Sequence, residues 1–162
     1  MFPDFRRILL LISCLLLPLT AVGAVTSSEP VKISADSLDL DQKSQTTTYS
    51  GNVLLTQGKM KLTADSLKVF VSNGKLGKIE SHGNPTIFQT VLDDGTTVRG
   101  EAKTIIFDSA AGRLTLTGNG KLSQGGNMIE NDHITYDLKT GALKAGGKHS
   151  KKRVEVIFQP AQ

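Results

Sequence analysis

The chain predicts an all-β domain, and three observations carry that prediction. From Pro30 onward apolar and polar residues alternate at period two: Leu114 and Leu116 with Thr115 and Thr117, and Val154, Val156 and Phe158 with Glu155 and Ile157. Such alternation buries one face of a strand and wets the other. Runs of Val, Ile, Thr, Leu, Tyr and Phe are short and are cut roughly every eight to twelve residues by Gly, Asn or Asp, with no helical period between the cuts. Third, one phrase recurs: I-S-A-D-S-L from Ile33 to Leu38, L-T-A-D-S-L from Leu62 to Leu67, and I-E-N-D-H-I from Ile129 to Ile134. Gly51-Asn52, Gly83-Asn84 and Gly118-Asn119 sit between the copies or just beyond them. The pattern reads as one strand-turn unit used several times.

Taken in order, the first element is a leader. Arg6 and Arg7 precede an apolar run from Ile8 to Leu19, followed by the small residues Ala21 to Ala24. That run is shorter than the roughly 20 residues of a spanning helix, and the small residues suit a cleavage site. A secretory signal peptide is expected over residues 1–24 and a single β-domain over 25–162. Leu11-Ile12-Ser13-Cys14 loosely resembles a lipobox, but the apolar run continues past Cys14, which reads against lipidation. Cys14 is the sole cysteine of the 162-residue chain. Disulfide and thiolate chemistry are therefore not expected in the mature protein, and an exported, cysteine-free chain suits the periplasm.

Beyond the leader the balance is mildly basic, 17 Lys+Arg against 14 Asp+Glu once Asp4, Arg6 and Arg7 are set aside. That is too little to argue for nucleic acid. A late basic run, Lys144, Lys148, Lys151, Lys152 and Arg153, reads first as a solvated loop.

Strands are expected around Val31–Ile33, before a turn after Leu40, and around Tyr49, Val53 and Leu55, which share a parity. Asp93-Asp94-Gly95 lies between Val91-Leu92 and Val98, and Lys139-Thr140-Gly141 between Leu138 and Leu143. Both suit tight hairpins, because Asn, Asp and Gly tolerate positive φ. Ser72-Asn73-Gly74 and Ala111-Gly112 read as two further turns. The total comes to ten or more short strands.

Within the repeated phrase the alternation changes phase. Leu62 and Ala64 share one parity and Leu67, Val69 and Val71 the other; Ile33, Ala35, Leu38 and Leu40 behave the same way around Asp36-Ser37. A bulge or corner at the acid keeps both halves pointing inward, with the carboxylate accepting hydrogen bonds from amides the bulge leaves unpaired. A sheet bent repeatedly in this way would wrap an apolar lumen as a jelly roll or flattened barrel, with unprotected edges at Val31–Ile33 and Val154–Phe158.

No catalytic machinery is legible. His82, His133 and His149 belong to no recognised motif, and neighbours on a strand such as Asp132 and His133 point to opposite faces. Asp36, Asp65, Glu101 and Asp132 lie on separate units with no second ligand at a useful spacing, so neither a metal nor a cofactor is expected. The glycines are not followed by a helix start and form no phosphate loop.

The chain is similar to the LptA (OstA-like) family of periplasmic lipopolysaccharide-transport proteins. The likeness runs from about Pro30 to Pro160. It rests on I-S-A-D, Y-S-G-N-V-x-L-T-Q-G from Tyr49 to Gly58, L-T-A-D at Leu62, L-T-G-N at Leu116 and D-H-I-T-Y at Asp132. V-R-G-E-A-K at Val98 departs from the small-Asp phrase, so no aspartate role is carried to Glu101.

What the resemblance implies is a twisted open β-jellyroll, not an enzyme, whose groove shelters lipid A acyl chains. Its partners would be lipopolysaccharide, an inner-membrane export complex, an outer-membrane translocon, and further copies of itself stacked head to tail. Candidate groove residues are Val31, Ile33, Tyr49, Val53, Leu62, Val69, Phe88, Phe107, Leu116, Leu122, Ile134 and Tyr136, with ordinary core as the rival reading of each. The pairing edges would be Val31, Lys32 and Ile33 of one copy and Val154, Glu155, Val156, Ile157 and Phe158 of the next. A structural or adhesive β-solenoid is the alternative, with the unequal 29- and 67-residue spacings of Asp36, Asp65 and Asp132 counting against it.

Overall fold

A computed structural model describes residues 29–72, 75–147, 150 and 152–159. The expected signal peptide, Cys14, His149 and the Asn73-Gly74 half of one expected turn lie outside the described residues. Ten strands follow in chain order: β1 (Lys32–Ser34), β2 (Ser37–Asp41), β3 (Thr46–Gln57), β4 (Met60–Ser72), β5 (Lys75–Val91), β6 (Thr97–Asp108), β7 (Arg113–Gln124), β8 (Asn127–Asp137), β9 (Leu143–Ala145) and β10 (Glu155–Ile157). All pair antiparallel in a single open sheet ordered β1-β3-β4-β5-β6-β7-β8-β10, with β2 also on β3 and β9 also on β8. Neighbours in the chain are neighbours in the sheet through β3 to β8, joined as hairpins. That topology is an open β-jellyroll, and it excludes the stacked coils of a solenoid.

The strands expected to be short prove to be halves of longer ones. β3 to β8 run from 11 to 17 residues, and each is interrupted mid-strand by a register shift, with one further irregularity at Phe70/Val71 near the end of β4. The bends line up across the sheet, because the register shifts at Ser50/Val53, Thr63/Ser66, His82/Thr86, Glu101/Thr104 and Thr117/Gly120. One corner line therefore folds the sheet into two facing layers. The first holds β1, residues 53–57, 60–64, 86–91, 97–101, 120–124 and 127–131, and β10. The second holds β2, residues 46–50, 66–72, 75–82, 104–108, 113–117 and 133–137, and β9.

The phase change expected at the acids is present: Leu62 and Ala64 are buried before Asp65, and Leu67 and Val69 after it. The irregular backbone, however, belongs to the strand alongside. Gly51 (φ 80°) and Asn52 (φ 47°) stand together opposite Asp65 alone, and Gly118 (φ 80°) and Asn119 (φ 52°) opposite Asp132. Positive φ costs glycine nothing and asparagine little, which is why these pairs turn the corner. Gly83-Asn84-Pro85, with a cis Asn84–Pro85 bond, takes the same place in β5. Gly-Asn pairs that read as strand ends are thus mid-strand corners, and the doubled residues lie in β3 and β7 rather than at Asp-Ser.

Between the layers lies one core of Val53, Leu55, Leu62, Leu67, Ile79, Phe88, Val98, Ile105, Leu114, Leu116, Leu122, Ile134 and Tyr136, among others. Interior positions at the corner are small, as Ala64 and Ala102, because the layers converge there. A Cβ on Gly100 would come within 3.1 Å of Leu116 Cδ2 in the facing layer. Tyr136 reaches across to donate its hydroxyl to Gln124 Oε1 at 3.2 Å.

Candidate functional site

The sheet alternates faithfully, so the interior face can be followed strand by strand to both ends. Of the expected groove residues, Val53, Leu62, Val69, Phe88, Leu116, Leu122, Ile134 and Tyr136 are buried in the core. Ile33, Tyr49 and Phe107 are partly buried against it, and Val31 is exposed at the N-terminal end. Burial desolvates the Tyr136 phenol and raises its pKa, with the charges of Asp94 and Asp137 adding to the shift. The residues opposite the corner, at the mouth of the fold, are the partly buried Met60, Leu76, Leu92 and Leu138 beside the hairpins.

Sequence reading expected open edges at Val31–Ile33 and Val154–Phe158 but did not single out Leu38 and Leu40. Leu38 pairs with Tyr49 and Leu40 with Thr47, so both leucines face the interior, yet they are 59% and 56% exposed. Val156 pairs with Ile129 on the interior face of β10 and is 44% exposed; Phe158, two residues on, is 75% exposed. A cavity of about 410 Å³ opens beside Phe158, lined by Leu122, Ile129 and Leu143 with Thr96 and Gln124. The period-two spacing of Leu38 and Leu40 was the available signal. The apolar interior thus runs out at both ends of the sheet with its side chains uncovered.

Two of the repeated acids, Asp36 and Asp132, brace the corner line. Asp36 Oδ2 accepts from Asn52 Nδ2 at 2.8 Å, its amide donates to Gly51 O at 3.0 Å, and the Asn119 amide donates to Asp132 Oδ1 at 3.4 Å. Lys152 Nζ donates to Asn119 Oδ1 at 2.6 Å and lies 3.6 Å from Asp132 Oδ1, which ties the C-terminal crossing to the corner. In β6 the aspartate's place falls to Lys103, one of two residues (with Ala102) at the register shift, while Glu101 pairs with Arg99 Nη2 at 2.7 Å. His82 sits on the outer face, 3.3 Å from Glu80 and 3.1 Å from Thr104 Oγ1. Among the described residues no group of three or more His, Cys, Asp or Glu is placed to hold a metal ion.

Residues 32–142 match the family model described as LptA/(LptD N-terminal domain) LPS transport protein. The chain belongs to this family. The lipopolysaccharide export system protein LptA of Escherichia coli K12 is 35% identical over 158 residues, spanning 95% of this chain and 85% of that protein. LptA of Haemophilus influenzae is 35% identical over 138 residues, 83% of this chain and 80% of the relative. The crystal structure of LptH, described as the LptA-homologous periplasmic component of the lipopolysaccharide transport device of Pseudomonas aeruginosa, superposes with a TM-score of 0.76 at 27% identity. It covers 83% of this chain and 98% of that one. In this LptA-family chain the family match stops one residue before β9, so β9 and β10, which frame the C-terminal opening, lie beyond it.

Proposed function

We propose that this chain is a periplasmic lipopolysaccharide-transport protein. It is exported by a signal peptide cleaved near Ala24, shelters lipid A acyl chains between its two layers, and bridges an inner-membrane export complex to an outer-membrane translocon by head-to-tail assembly. The observation that carries this reading is the run of interior-facing apolar side chains left uncovered at both ends, Leu38 and Leu40 at one and Val156 and Phe158 at the other. An isolated soluble domain would cover such residues; a segment of a longer apolar trough leaves them for the next segment.

The energetics suit the cargo. Each acyl methylene left in water costs roughly 0.8 kcal/mol, so a lipid of several chains cannot cross an aqueous compartment without continuous apolar cover. Where the layers touch, Leu116 and Ile134 are fully buried, so acyl chains enter by parting the layers from the mouth at Met60, Leu76, Leu92 and Leu138. Packing of one layer on the other then gives way to packing of each layer on lipid, an exchange of apolar partners that is nearly neutral. Among the described residues β1 and β10 each lack a neighbour on one side, which leaves a strand at each end for the next copy to pair with.

A photo-crosslinking residue at Leu40, Phe107 or Phe158, introduced in cells, is expected to form a lipopolysaccharide adduct, detected by gel shift and anti-lipopolysaccharide blotting. Folded protein with no adduct at any of the three positions would overturn the sheltering role. Sedimentation across a concentration range tests assembly, and a strict monomer at high concentration would count against it.

A further inference from the structure

Each of the four edge strands presents one outward charge without a partner, and the signs form a pattern. Lys32 on β1 stands opposite Thr56, Asp39 on β2 opposite Thr48, Lys144 on β9 opposite Thr135, and Glu155 on β10 opposite Glu130. None of the four has an ion-pair partner among the described residues. Asp41, the other acid of β2, is engaged by its own turn, accepting from the Lys43 amide at 2.9 Å and from Ser44 Oγ at 2.7 Å. Glu155 lies beside Glu130, which pairs with Lys121 at 3.0 Å, and Lys152 and Arg153 line the same cavity without an ion pair to Glu155. Like charges directly opposite one another on neighbouring strands are unfavourable, so a further cation is wanted there. In the first layer the ends are therefore positive (β1) and negative (β10). In the second they are negative (β2) and positive (β9).

We infer that Lys32, Asp39, Lys144 and Glu155 form a charge key that sets the rotation of one copy of this chain on the next. The inference rests on the head-to-tail assembly proposed above. With corner lines aligned, β1 of the incoming copy runs toward the corner and β10 away from it, while β2 runs away and β9 toward; both junctions are antiparallel. Turning the incoming copy by half a revolution about the stacking axis puts β1 on β9 and β2 on β10. Its strand directions reverse as well, so these junctions are antiparallel too. Backbone hydrogen bonding accepts both settings.

The charges accept one. Aligned layers set Asp39 on the rung of Lys144 and Lys32 on the rung of Ile157, diagonal to Glu155 on the same outward face, whereas the half-turn brings the strand of Lys32 to that of Lys144 and the strand of Asp39 to that of Glu155. The half-turn would also throw successive mouths to opposite sides and interrupt the trough. The key keeps the mouths in line.

Edge charges also serve as simple guards against pairing, and the two roles respond oppositely to mutation. In a Cys14→Ser background, Ser34→Cys and Ile157→Cys place thiols on the outward faces of β1 and β10, in the first layer and outside the key. Mixed single-cysteine proteins are expected to join through a short bis-maleimide linker. Lys32→Glu alone should weaken association about fivefold by sedimentation, with strong salt dependence. Lys32→Glu with Asp39→Lys inverts one end. The chain should then still associate, but in the half-turn setting, and the 34–157 adduct should be lost. An unchanged adduct in that double variant, or tighter association on reversing Lys32 or Glu155, overturns the key while leaving assembly standing. A wild-type chain that never associates overturns assembly and the key together.

Discussion

Gly51 and Gly95 share a left-handed backbone, with φ of 80° and 82°, and differ in what surrounds them. A Cβ at Gly51 would run into the Asp36 side chain, whereas one at Gly95 meets nothing. Gly95→Ala should therefore cost only the backbone term, about 1 kcal/mol, and Gly51→Ala about 2 kcal/mol or more, because Asp36 must also leave Asn52. Urea unfolding of the two variants measures the difference, and equal losses would remove Asp36 from the account. The chemistry of Gly51-Asn52 was legible in the sequence, but its use was not. Gly-Asn serves equally for a hairpin turn and for a mid-strand corner, and only the residue on the neighbouring strand distinguishes them.

At the scale of elements, the hairpins were the part most legible in the sequence. Asp93-Asp94-Gly95, Ala111-Gly112 and Lys139-Thr140-Gly141 all join strands where expected. Three carboxylates hold such connections. The Ser44 hydroxyl and the amides of Lys43 and Ser44 lower the pKa of Asp41; the Thr96 amide lowers that of Asp94; the Thr140 amide, with the Thr140 hydroxyl and the Lys139 amide, lowers that of Asp137. Each folded pKa lies below its ordinary value of 3.8, so each contribution is present above that value and is lost as pH falls through the depressed one. Thermal stability should accordingly hold down to about pH 5 and fall below about pH 4, with Asp137→Asn removing part of that dependence. A melting temperature that rises on acidification would contradict the assignment.

For the whole molecule, stability should grade from the middle of the sheet to its ends. β3 to β8 share the core, whereas β1, β2, β9 and β10 are three to five residues long, and β2 and β10 carry uncovered apolar side chains. Hydrogen exchange of the monomer is expected to be slowest at Leu55, Ile105 and Leu116 and fastest in the four edge strands, and the proposed end-to-end assembly predicts that protection of the edges rises with concentration. Edges protected equally at every concentration would mean that each copy closes its own ends.

Period-two alternation, the phase change at each acid and the turn residues are local properties. They determined the strand content, the inward face and the existence of a corner from the sequence alone. Which half-strand belongs to which layer depends on register across neighbours far apart in the chain, such as Ser50 with Ser66 and His82 with Thr104. The same holds for the uncovered ends. Leu40 and Leu116 are both alternating strand leucines, and one is 56% exposed and the other buried because, among the described residues, β2 has no strand beyond it while β7 has one on each side. Burial is a property of neighbours, and only the tertiary structure supplies the neighbours.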